Sequence, residues 1–83
     1  ESLAALDIRV RDACEGLSRL AGDSDVAVVT HVSPIKSAVA WALGATIGIS
    51  WRSHLSPASI CRIEMRRRGP VLMSFNETVP GSV

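Results

Sequence analysis

The chain has 83 residues, 47% of them apolar, with a formal charge of +1 at pH 7. That length holds at most one small domain, and the composition excludes a disordered or fibrous chain. The near-neutral balance argues against nucleic-acid binding driven by bulk charge, and the longest uncharged run, residues 37–51, is too short to span a bilayer.

Leu3, Leu6, Val10, Ala13, Leu17 and Leu20 recur at helical spacing, which predicts an amphipathic helix over residues 2–21. Ser2 is its expected N-cap and Gly22 its stop. Asp7, Arg11, Asp12, Glu15 and Arg19 are expected to face water, with Arg11 and Glu15 spaced to pair. After an Asp23–Asp25 turn, Val26–Thr30 is apolar, unalternating and rich in β-branched residues. It predicts a strand buried on both faces, as at the centre of a parallel sheet. Ser33 and Pro34 predict the N-cap and first position of a second helix. Ile35, Ala38, Val39, Ala42 and Leu43 form its apolar face, and Gly44 ends it. Trp41 lies on the opposite face, toward a missing layer or a partner. Residues 45–57 predict a loop with one helical turn.

Ser59–Met65 alternates, with Ile60, Arg62 and Glu64 on one face and Cys61, Ile63 and Met65 on the other. Arg66–Pro70 is the expected hairpin turn, Val71–Phe75 the returning strand and residues 76–83 an irregular tail. The order helix, buried strand, helix, loop, hairpin implies α/β layering. A strand buried on both faces needs neighbours on both edges. Either the hairpin pairs with residues 26–30, or residues outside this chain complete the sheet.

His31 is the leading candidate for chemistry. It stands at the carboxyl end of the expected strand and just before a helix N-terminus, where free N–H groups and the helix dipole attract anions. The alternative is a histidine that merely caps the strand or bonds a backbone carbonyl. Lys36, about one turn further on, and His54, in the loop, are candidates for substrate contact; each is otherwise a solvated surface residue. Arg66–Arg68 is either a nucleic-acid grip or a solvated turn. Ser33 has no nucleophile elbow around it. Cys14 and Cys61 have no metal-ligand spacing with His31 or His54; they suit buried thiols in a reducing, cytoplasmic setting. Glu1-Ser2-Leu3 does not open a signal peptide, and without an initiating Met the chain is expected to be part of a longer one.

The segment Val28-Val29-Thr30-His31-Val32-Ser33-Pro34-Ile35-Lys36 resembles the second histidine motif of the phosphoglycerate-mutase-like histidine phosphatase superfamily. Glu1-Ser2 with Arg9-Val10, Ser59-Ile60 before a Gly-turn hairpin, and Ser74–Thr78 are similar to further family features, in the same order. The resemblance implies the C-terminal part of a three-layer α/β/α sandwich: residues 1–83 would be one portion of a single domain whose N-terminal half lies elsewhere. It implies phosphoryl transfer through a phosphohistidine, without metal or cofactor. His31 would be the second histidine, and the Val32 N–H would contact the phosphate. The partners implied are a phosphorylated small molecule and the remainder of the domain, with no membrane and no nucleic acid.

The family's Arg-His-Gly nucleophile motif, its acid Glu and its second Arg lie upstream, so the 83 residues alone are expected to be inactive. Val32-Ser33 replaces the common Gly-Gly, and Val79-Pro80 the closing His-Leu. The His-Val-Ser-Pro-Ile-Lys form looks like acid-phosphatase-type members, which favours a phosphomonoesterase over a mutase. A second class of function is a non-catalytic anion- or RNA-binding module of degenerate phosphatase-like fold. The family topology also places the nucleophile's strand between residues 26–30 and Ser59–Met65. Those two segments should therefore not pair, and should stand about 9–10 Å apart.

Overall fold

The computed structural model describes residues 1–79. Residues 80–83, the end of the expected irregular tail, lie outside the described residues. Helix α1 is Leu3–Ala21 and α2 is Val32–Leu43; a 3-10 helix spans Ile47–Arg52, and strands β1 (Ile60–Arg66) and β2 (Gly69–Glu77) follow. The fold is α/β, with a two-stranded antiparallel hairpin beside two helices.

The first helix starts and stops where its end residues require. The Ser2 hydroxyl accepts the Ala5 N–H at 3.1 Å, satisfying one of the donors left free in the first turn. Its packing differs from expectation. No residue of α1 is buried, and Leu20 is 83% exposed. The polar edge, expected to face water, instead meets α2. The fully buried Ser37 hydroxyl donates to Asp7, and Arg11 donates to the Ala45 carbonyl at 2.6 Å. Trp41 Nε1 donates to Glu15 at 2.9 Å, so the tryptophan is turned to α1. Arg11 pairs with Asp7 at 3.0 Å rather than with Glu15. The charged residues four apart on one helix edge thus form the seam, because α2 offers a hydroxyl and an indole there and Ala45, just past its end, a carbonyl.

Val39, Ala40, Ala42 and Leu55 make the buried apolar core. Residues 25–31 depart from the expected buried strand: they have no strand partner and are exposed, Val29 to 98%. Among the described residues, the only sheet is β1 with β2, so nothing pairs with either edge of this segment.

The second helix begins two residues earlier than Ser33-Pro34 suggests. His31 is its N-cap, and the Ile35 N–H bonds the His31 carbonyl at 3.1 Å. Pro34 is therefore the third helical residue. None of the first-turn N–H groups has an intrahelical acceptor, so a proline is tolerated at any of them and does not mark the first. At the other end Gly44 is left-handed at φ 66°, and the Ala45 N–H closes on the Ala40 carbonyl at 2.8 Å.

The hairpin turn is tighter than expected. Arg66 pairs with Gly69, leaving Arg67 and Arg68 as the tip, and β2 runs on through Asn76 and Glu77. Between Ile60 and Arg62, and again between Arg62 and Ile63, β2 advances one residue more than β1. Asn76, at φ 58°, sits in the first of these bulges. A bulge turns a side chain out of the ladder, and asparagine tolerates the left-handed backbone there.

Candidate functional site

An open cleft of about 830 Å³ separates two walls. Residues 28–35 form one wall and residues 55–60 the other, with Leu6 and Arg9 of α1 also lining it. Residues 26–30 and β1 do not pair across it.

His31 and Val32 both line this cleft. The His31 ring is exposed and makes no capping hydrogen bond. Because Pro34 has no N–H, the free donors of this helix end are the backbone N–H groups of the cap and the next two residues. An exposed imidazole, these N–H groups and the positive end of a twelve-residue helix converge on one edge of the cleft. Such an arrangement can hold the oxygens of a phosphate.

Arg9 is a cleft residue that sequence spacing does not reveal. It is held by Glu1 through two bonds, 3.0 Å from Nε and 2.9 Å from Nη2. The hydrogen bond from Arg9 holds the Glu1 carboxyl below its ordinary range, and Glu1 raises Arg9 in turn. Glu1 precedes the helix and lies eight residues away, so no i, i+4 spacing marks the pair.

The opposite wall is a turn. The Ser59 N–H bonds the Ser56 carbonyl at 3.3 Å, with Pro57 at its second position and Ala58 at φ 58°. Asn76 Oδ1 accepts the Ser56 N–H at 2.8 Å. The bulge in β2 therefore serves the cleft by sending Asn76 to pin this wall. Asn76 falls in the segment expected to be an irregular tail, so periodicity does not reveal this contact.

Lys36 and His54 do not line the cleft. Lys36 Nζ donates to the Ser50 carbonyl at 2.8 Å and to the Ser53 carbonyl, so its ammonium holds the 3-10 segment rather than standing free for substrate. His54 is exposed beside the buried Leu55. Arg66 contacts Glu64 at 3.2 Å and the Met73 sulfur at 3.4 Å, and Arg67 and Arg68 are exposed at the hairpin tip. Both cysteines are free. Burial pushes the Cys14 thiol up, which keeps it protonated and poorly nucleophilic. No group of three or more His, Cys, Asp or Glu able to hold a metal occurs among the described residues. No helix among them is long and apolar enough to cross a membrane.

An extended segment of cleft wall ends in an exposed histidine and is followed at once by a helix N-terminus, beside a hairpin, within an α/β fold. The profile of the histidine phosphatase superfamily (branch 1) matches residues 1–78, and the chain belongs to that superfamily. The fold superposes with a TM-score of 0.80 on a histidine-to-alanine mutant of phosphoserine phosphatase from Entamoeba histolytica, crystallised with phosphoserine. The two share 22% identity over 92% of this chain and 39% of that one. At that identity the likeness establishes the fold, and the chain spans about 39% of the relative's length. Comparison with curated proteins gives no match.

Proposed function

We propose that the intact protein is a phosphomonoesterase working through a phosphohistidine, with His31 as the second, phosphate-stabilising histidine. The observation that carries this reading is the placing of His31 and the Val32 backbone at the cleft edge, on the N-terminus of α2. As a phosphoryl group transfers, negative charge spreads over its equatorial oxygens. The imidazole N–H and the Val32 N–H are the donors toward that charge. The Val32 N–H is preorganised by the helix, so it needs little reorganisation at the moment of reaction. In this reading the nucleophilic histidine, the acid and a second arginine come from the remainder of the domain, the histidine on a strand lying in the cleft. No metal or cofactor is called for. The substrate class is a phosphorylated small molecule, and phosphoserine, held by the Entamoeba relative, is the first to try. The two free cysteines fit a reducing cytoplasm.

The test is turnover of a panel of phosphomonoesters by the intact protein and its His31→Ala variant. Loss of one preorganised donor should lower kcat about 10²–10³-fold. Near-normal turnover would make His31 structural. A protein inert toward the whole panel that still bound phosphate through His31 would be a binding module.

A further inference from the structure

Lys36 belongs to the same short segment as His31, yet its ammonium is used on the other side of the fold. Its two acceptors, the carbonyls of Ser50 and Ser53, sit at the end of the 3-10 helix and at the residue that caps it. The Ser50 carbonyl lies in the last turn of this helix, where acceptors lack intrahelical donors, and the Ser53 carbonyl belongs to the extended residue that follows it. A cation with several donors is well suited to both. Ser53 also closes on this helix, its hydroxyl donating to the Ile49 carbonyl at 2.9 Å.

The chain just beyond Ser53 gives this contact its consequence. His54 and the buried Leu55 lead into Ser56, whose N–H is held by Asn76. The three-residue span between these two tethers reaches at most about 10 Å, so the Ser56–Ser59 turn has little freedom. Helix α2 thus carries His31 at its start and, one turn later, the side chain that restrains the entry to the opposite cleft wall.

We infer that Lys36 is a positioning residue, which sets the Ser56–Ser59 wall against the His31 wall through the 3-10 segment and does not itself bind phosphate. The inference rests on the phosphatase reading only where it concerns turnover; the tether stands on geometry alone. Three variants of the intact protein test it: Lys36→Met, Lys36→Gln and Lys36→Arg. Amide hydrogen exchange over residues 50–59 should quicken about tenfold in the Met and Gln variants and return in Arg, which can still reach both carbonyls. With p-nitrophenyl phosphate, kcat should fall about tenfold through misplacement of the wall. The inhibition constant of inorganic phosphate should change less than about twofold, since the phosphate donors are untouched.

Unchanged exchange in the Met and Gln variants would overturn the tether. A rise of about tenfold in the phosphate inhibition constant would make Lys36 a phosphate ligand and overturn its positioning role. If the Met variant does not fold, the Gln variant, which keeps a polar terminus, decides. His31→Ala is run alongside: if it turns over normally the phosphatase reading falls, and the exchange measurement still decides the tether.

Discussion

The seam between α1 and α2 makes a quantitative prediction. Ser37 is fully buried and donates to Asp7, while Asp7 also receives Arg11 Nε at 3.0 Å on each oxygen. Replacing Ser37 by Ala removes a hydrogen bond to a charged acceptor, a loss of about 1.5–3 kcal/mol in general. Here the carboxylate keeps its arginine and is not orphaned, so the lower end, about 1.5 kcal/mol, applies. Replacing Asp7 by Ala does more. It leaves Arg11 only the Ala45 carbonyl, and Ser37 must turn to the carbonyl one helical turn back, a weaker use of its hydroxyl. The cost should be about 2–3 kcal/mol. The double variant should cost about 1 kcal/mol less than the sum, because the two residues share one bond. The assay is urea unfolding of the four proteins at pH 7, with equal slopes required before midpoints are compared. A coupling below about 0.3 kcal/mol, the ordinary limit of additivity, would refute the reasoning and make the seam a surface ion pair with a bystander serine.

Two further predictions concern the hairpin end of the fold. The hydrogen bond from Ser74, and then Arg62, holds the Glu77 carboxyl below its ordinary value of 4.5. Below that ordinary value the unfolded chain binds more protons than the folded one, so this contribution to stability is present above about pH 4.5 and is lost as pH falls through the folded value. Glu77→Gln should flatten the acid limb of the stability curve and leave the limb above pH 6 unchanged in shape; an unaltered acid limb would contradict the assignment. Ala58, at φ 58°, adopts a conformation costing about 1–2 kcal/mol for a residue with a Cβ. Glycine relieves this but gains about 0.4–1 kcal/mol of unfolded-state entropy. Ala58→Gly should therefore stabilise the protein by roughly 0.5–1 kcal/mol in the same urea assay; a destabilised variant would mean that the turn needs the methyl group.

Local signals are legible where local physics decides. Ser2 and Gly22 bound α1 because a hydroxyl cap and an achiral stop act within a few residues. The alternation through Ser59–Met65 identifies β1, since Cys61 and Ile63 are the more covered positions, but it fails at Met65, expected on the same face and found exposed. Pro34 misplaces the start of α2 because its missing N–H is equally harmless through the first turn. The seam is hidden for a different reason. Periodicity sorts residues by polarity, and here the polar edge of α1 is the one that finds partners, because α2 presents Ser37 and Trp41 there. Lys36, Asn76 and Arg9 act through partners at the far side of a turn or across the fold. Their roles depend on where Ser50, Ser53, Ser56 and Glu1 come to lie.

The segment Val26–Thr30 shows what such a pattern does measure. Its run of β-branched side chains describes the surroundings the segment suits, and among the described residues no strand lies on either of its edges. Val28 is 61% exposed and Ile60 49% exposed, and both border the cleft. Backbone edges and apolar side chains left open on two facing walls are a liability that folds normally cover with a strand. One strand at ordinary spacing from each wall needs about 9–10 Å between them, the separation that the superfamily topology implies. In the phosphatase reading, the strand that satisfies these edges also brings the nucleophile to His31. The same residues would then serve stability and chemistry, and exposed Val29 would be as informative about the site as His31 itself.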